Sequence, residues 1–251
     1  MIVSCRGEKK WINYLEQNIL LLWLFVCLIF IVVGYLLSRK ISLKTVVKIL
    51  FVIGILSEVT KVFYYIVQNE AVYNGYLPKS DLPFHLCSIQ IIFIAILYLS
   101  KNERIKRLLE SFMMPSCLFG GIFAILIATD SSRNGYWVIS LQYFGYHAAI
   151  TIFALKLMSC KELKWDIKYY LNCLSLLFVF GLGSIYLNSI LNDGKSVVNF
   201  MYTVAPPQEG LPYLNKNNGW LSYILRYAFL AITLISLLYI KPIINVFKKS
   251  K

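Results

Sequence analysis

Seven apolar runs, at about 18–37, 47–67, 84–100, 111–128, 137–157, 169–190 and 221–240, divide nearly the whole chain into lengths near those that cross a bilayer. Lipid satisfies no backbone hydrogen bond, so runs of this length are compatible with α-helices and little else. The expected fold is an all-α, polytopic membrane bundle of seven transmembrane helices. It divides into a polar N-terminal segment (1–17), one transmembrane helical domain (18–240) and a basic tail (241–251). The second run is interrupted by Lys48, Glu58 and Lys61, and the fourth by Pro115, Gly120 and Gly121.

Composition excludes the alternatives. Of 251 residues, 59% are hydrophobic and 15% charged, with a mean hydropathy of +0.66. Soluble domains carry about 25% charged residues, and disordered chains carry more charge and far less apolar surface. A net charge of +13 on a soluble domain would suggest nucleic acid. Here the Lys and Arg fall between the apolar runs, so no nucleic-acid partner is expected and the charges read as topology signals. Sixteen lie in the loops after the first, third and fifth runs and in the tail; seven lie on the other side. The positive-inside rule then places the N-terminus outside and the C-terminus in the cytoplasm. The first run has no small-residue cleavage site and reads as a span, not a cleaved signal peptide.

The six cysteines are scattered at 5, 27, 87, 117, 160 and 173, with no CxxC pair and no Cys/His cluster at zinc spacing. No disulfide framework, metal or cofactor is expected from them. A GxSxG elbow, an HExxH helix and a Gly-rich phosphate loop are also missing. No lysine occupies the middle of the last run, which argues against a retinal protein.

The predicted cytoplasmic loops are short and basic. The opposite side carries the patterned segments YNGYLPKSDLPFHLC, ATDSSRNGYW and Asn192 to Trp220, so a site would open outward. Both histidines, His85 and His147, fall in the outer half, and ionisable groups in a bilayer are expensive and by default functional suspects. Glu58 lies about 13 Å below the outer end of the second run. Lys61 at i+3 offers it a partner, so a structural ion pair and a functional carboxylate are equally open.

In Asp81-Leu82-Pro83-Phe84-His85-Leu86-Cys87, the Asp suits an N-cap and the Pro a first helical turn, which puts Cys87 near a helix N-terminus where a thiol is open to activation. His85 precedes Cys87 by two and would face about 200° away in a regular helix, so His147 is the better base. An inert packing thiol remains equally open. In Gln142-Tyr143-Phe144-Gly145-Tyr146-His147, Tyr143 shares the face of His147 and Gly145 allows close helix approach. The stretch Asn199 to Pro206 is apolar and aromatic but too short to span; it reads as a segment at the interface or folded back over a cavity. The candidate catalytic residues are Cys87, His147 and His85. Candidate substrate-binding residues are Glu58, Gln90, Asp130, Gln142, Tyr143, Asn199 and Tyr202.

Five short motifs in order, LPFHLC at 82–87, ATD at 128–130, Gln142-Tyr143-Phe144 with His147, NFMY at 199–202 with Pro206, and Gly219-Trp220 with Tyr223, resemble the YwaF-like bacterial integral membrane proteins, relatives of transmembrane protein 164. The resemblance runs from about residue 80 to 225. It implies a multi-span helical fold in a bacterial inner or plasma membrane. Through the eukaryotic branch it implies transfer of acyl chains between phospholipids on a cysteine, with membrane lipids as partners and acyl donors. By that analogy Cys87 accepts the acyl chain, His147 is the base, and His85 and Asn199 bind or polarise the ester. The chain departs from the eukaryotic pattern, in which a histidine directly follows the cysteine; here Ser88 stands there and His85 lies two residues before it. Two other functions compete: a carrier or receptor that uses Glu58, His85, Gln142 and His147 as ligands without chemistry, and a metal-dependent lipid hydrolase built on His85, His147 and Asp130 or Glu58.

Overall fold

The computed structural model describes residues 4–67, 77–127, 137–160, 163, 165–193, 197–208, 211 and 213–249. All regular structure among them is helical: α1 (Ser4–Ser38), α2 (Leu43–Val67), α3 (Leu86–Leu99), α4 (Glu103–Leu126), α5 (Trp137–Ser159), α6 (Ile167–Leu191), α7 (Gly219–Leu238) and α8 (Ile240–Lys249), with 3-10 turns at Lys79–Asp81 and Phe200–Tyr202. Polar side chains set two of the starts. Asn102 accepts from the Arg104 amide at 2.9 Å to cap α4, and Asp166 accepts from the Tyr169 amide at 3.0 Å to cap α6.

Five helices are long and apolar enough to cross a membrane: residues 19–38 of α1, then α4, α5, α6 and α7. The two remaining predicted spans are helices of a different kind. The run at 47–67 lies in α2, whose 25 residues carry Lys44, Lys48, Glu58 and Lys61. The run at 84–100 becomes α3, with only 14 residues, or about 21 Å at 1.5 Å per residue. That is short of the roughly 30 Å hydrocarbon core, and the shortfall leaves room at membrane depth for non-helical chain. The expected cap is also displaced. Asp81 belongs to the 3-10 turn, Pro83 lies outside the helix, and His85, in extended conformation, is the N-cap of α3. Pro disfavours helix at the residue before it, so Leu82 is extended, a tight turn follows at Pro83 and Phe84, and helix begins only after His85.

The hub is the α4–α5 pair. Of their apolar windows 67% and 56% are buried, against 6% in α1 and 11% in α6 and α7, so the outer helices present mostly lipid-facing surface. Phe112, Met113, Cys117, Ile150, Phe153 and Leu157 fill the seam, with Ile94 of α3 and Tyr239 at the end of α7 beside them. Pro115 sits buried inside α4 and has no N–H to give the Ser111 carbonyl one turn earlier. The Tyr239 hydroxyl donates to that carbonyl at 2.9 Å, satisfying it from another helix. Tyr239→Phe would orphan a buried acceptor, and a thermal melt in detergent is expected to show a loss of about 1–3 kcal/mol.

Lys156, counted by sequence among the loop charges, is instead a buried residue of α5. Its ammonium donates to the carbonyls of Ser38 at 2.9 Å and Ile41 at 2.8 Å, closing the C-terminal end of α1 with a positive charge.

Candidate functional site

Cys87 is the second residue of α3, and no side chain caps that helix start. The amides of a first helical turn have no acceptor within the helix, and together with the helix dipole they favour negative charge beside them. Opposite stands α5. It places His147 beside Cys87: the neighbouring Tyr146 reaches the Cys87 carbonyl, and the imidazole is close enough to bear on the thiol. One imidazole nitrogen, Nδ1, lies 2.7 Å from the Tyr143 carbonyl oxygen. A carbonyl only accepts, so in the neutral ring Nδ1 carries the proton and Nε2 keeps its lone pair for the thiol.

Three further contacts hold this pair in place. The Tyr146 hydroxyl donates to the Cys87 carbonyl at 2.8 Å, tying the start of α3 to α5. The Tyr143 ring lies 4.3 Å from the imidazole, centroid to centroid, and its hydroxyl donates to the Ala124 carbonyl at 2.9 Å. The His147 carbonyl accepts from the Thr151 hydroxyl at 2.8 Å, at the point where α4 comes closest. Gly121 makes that approach possible: a Cβ there would overlap Thr151 Oγ1 and stand 2.8 Å from the His147 carbonyl oxygen. In Gly121→Ala, α5 must move away from α4. We expect a lower melting temperature, equivalent to about 1–3 kcal/mol, and faster alkylation of a Cys87 no longer packed under His147.

His85 does not join the thiol–imidazole pair. Its ring lies edge-on to Phe200 at 5.2 Å, with Tyr202 at 6.0 Å. Those two aromatics belong to the segment that sequence reads as lying at the interface or folded back over a cavity, and Tyr202 is near enough to Cys87 for the two groups to sense each other's charge. Met201 and Tyr202 both adopt left-handed conformations, with φ of 52° and 53°. Such a pair of non-glycine residues is strained, on the order of 1–2 kcal/mol each, and persists only where its surroundings over-determine it. They do so here. Asn188 of α6 donates to the Phe200 carbonyl at 3.0 Å and to Thr203 Oγ1 at 2.8 Å, and accepts from the Phe200 amide at 2.9 Å. Trp220 donates to the Thr203 carbonyl at 2.8 Å, and the Tyr223 hydroxyl donates to the Tyr202 carbonyl.

Asn199 spends its amide on its own turn, accepting from Val204 at 3.0 Å and Ala205 at 3.2 Å and donating to the Ala205 carbonyl at 2.8 Å. Gln90, one turn along α3 from Cys87, is fully buried. It donates to Ser116 Oγ at 3.0 Å and to the Leu86 carbonyl at 3.1 Å, while its own oxygen has no partner. Glu58 and Lys61 form the i,i+3 ion pair at 2.9 Å, and Lys61 also donates to the Asp81 carbonyl at 3.1 Å. Its positive charge is felt at Cys87, His85 and Asp81. Burial raises the Asp81 carboxyl above the ordinary carboxylate range, against a Tyr65 hydrogen bond and the Lys61 charge. Gln142 donates to Ser57 at 2.7 Å, joining α5 to α2 beside Glu58. Glu58 also edges an open depression of about 390 Å³ along α2 lined by Val59, Val62, Phe63 and Ile66. Asp130 lies outside the described residues. Among the described residues no group of three His, Cys, Asp or Glu side chains is placed to hold a metal.

Tyr146, Ser57 and Asn188 were not singled out by sequence. Asn188 carried a readable signal, as an amide in an otherwise apolar span with nothing to bond to but another segment.

The described residues thus define an all-helical polytopic membrane protein in which a short helix begins, at Cys87, between longer ones. The chain belongs to the TMEM164 family, whose sequence profile matches residues 13–239. No curated protein and no solved structure matches the chain.

Proposed function

We propose that this protein moves acyl chains between membrane phospholipids through a thioester on Cys87. One observation carries the reading: the thiol faces an imidazole whose other nitrogen is committed to the Tyr143 carbonyl, at an uncapped helix start. A nucleophile, a base and a group that orients the base make up the minimal arrangement for covalent acyl transfer.

His147 Nε2 takes the thiol proton, and sulfur attacks the ester carbonyl carbon. First-turn amides of α3 are the donors best placed for the oxygen that becomes negative. The C–O bond to glycerol breaks, the lysophospholipid oxygen takes the proton back from His147, and the acyl chain remains on sulfur. A hydroxyl of a second lysolipid then attacks the thioester, with His147 again carrying the proton, and restores the thiol. The charge of Lys61 favours the thiolate and the phosphate of an incoming lipid alike, and Phe200 and Tyr202 give the acyl chain an apolar wall. On the charge-based orientation with the N-terminus outside, the chemistry opens to the outer leaflet.

The test is acyl exchange in liposomes. Purified protein is given a phosphatidylcholine with a deuterated chain and an unlabelled lysophospholipid acceptor, and mass spectrometry follows the label. Transfer by wild type supports the reading; no transfer by wild type in any lipid mixture contradicts it.

A further inference from the structure

The C-terminal helix α8 has a use that acyl transfer does not require. We infer that it lies on the membrane surface as a clamp for anionic lipid headgroups at the end of the bundle where α7 terminates. It starts two residues after the span α7 ends, past a helix break at Tyr239. At 100° per residue its positions sort into three sides. Pro242 is buried and Ile243 packs against the core, fixing one side to the protein. Ile240 and Ile244, 46% and 44% exposed, point together on a second side, and Val246, 44% exposed and between Pro242 and Ile243 in register, adds bare apolar surface where the protein contact ends. Lys241 and Asn245, both exposed, take the third, and positions 248 and 249 follow them in helical register. A helix with one protein side, one bare apolar side and one basic side fits where protein, acyl chains and headgroups meet, and nowhere in bulk water.

The surroundings add charge of the same sign. The Tyr170 hydroxyl and Ser236 Oγ are 2.8 Å apart, which brings the start of α6 beside the end of α7. The Tyr239 hydroxyl reaches Ser111, which brings the first turns of α4 to the same place. Exposed Lys168, Arg104 and Arg107 therefore share this end with Lys241. The bare apolar side also continues the lipid-facing surface of α7, where Phe229, Ile232 and Leu237 are exposed. Complementary to all of this is an anionic phosphate layer such as phosphatidylglycerol supplies.

An isolated helix of ten residues is marginal in water, so hydrogen exchange of its amides reports what holds it. Full-length protein is placed in nanodiscs of phosphatidylcholine alone or with about one third phosphatidylglycerol, and exchange of the 243–249 amides is followed by mass spectrometry. Exchange at least about tenfold slower with the anionic lipid is expected, with the slowing lost in high salt and in the triple variant Lys241→Gln, Lys248→Gln, Lys249→Gln. Equal exchange in the two discs overturns the inference, whether both are fast or, because protein contacts alone hold the helix, both slow. Acyl transfer plays no part in this readout, so the two proposals fail separately.

Discussion

Replacing Cys87 by Ala is expected to remove acyl transfer altogether, by more than about 10⁴-fold, with little change in thermal stability. The nucleophile is the one part of a covalent mechanism for which no neighbour substitutes. Other cysteines are not expected to compensate: Cys27, Cys117 and Cys173 are buried inside α1, α4 and α6, none of them in a first helical turn, and Cys117, although near Cys87, is wholly buried. Cys87 is only partly buried, at the edge of the main core, and truncation to Ala removes a single sulfur atom, so the fold is expected to stay intact. Cys87→Ser keeps the shape and is expected to be far less active, because the helix start and His147 favour an anionic, polarisable thiolate, a form that a hydroxyl reaches much less readily. Liposome exchange, run beside a melting curve, separates this from simple unfolding. Undiminished transfer by Cys87→Ala would remove the thiol from the reaction.

The second large effect is at His147. His147→Ala is expected to slow transfer by about 10²–10⁴-fold, the usual contribution of a positioned acid–base group. It should also slow alkylation of Cys87 by a small neutral reagent at neutral pH, since the lone pair that withdraws the thiol proton is gone. His147→Gln provides the stricter test because it fills the space and keeps a hydrogen-bonding side chain without a base. Tyr143→Phe, by contrast, should leave the rate near wild type: the imidazole is oriented by the Tyr143 backbone carbonyl, and the phenol is spent on Ala124. A Tyr143→Phe defect as large as that of His147→Gln would mean that the phenol, not the carbonyl, organises the site.

Much of this architecture can be read from the chain. Apolar length alone predicts that each run is a helix, and unusual polar residues inside them, Glu58, Cys87 and His147, mark the interior. What periodicity misses are features decided by contact. Nothing in the run at 84–100 announces that helix begins only after His85, because Asp81 and Pro83 together look like a good helix start, whereas Asp81 instead closes the 3-10 turn that begins at Lys79. That shift moves His85 out of the helix and against Phe200 and Tyr202, so the two histidines separate in role. Lys156 looks like one more inner-loop charge, yet it seals the end of α1, a job visible only once Ser38 and Ile41 lie beside it. Asn199 looked available to a ligand from its neighbours in sequence, but an amide at the start of a tight turn bonds that turn's own backbone first. What the chain does make legible is the place of Cys87 in a first helical turn, because the Pro-containing break before it and the apolar run after it bracket a helix start.

The most direct test of the central claim is the covalent adduct. Protein purified from cells fed an alkyne fatty acid is digested, and the acylated peptide is located by mass spectrometry before and after neutral hydroxylamine. The account predicts a hydroxylamine-labile acyl group on Cys87, absent from Cys87→Ala and accumulating or vanishing in His147→Gln according to which half-reaction that variant blocks. An acyl group on another residue, or none at all on active wild-type protein, would contradict it.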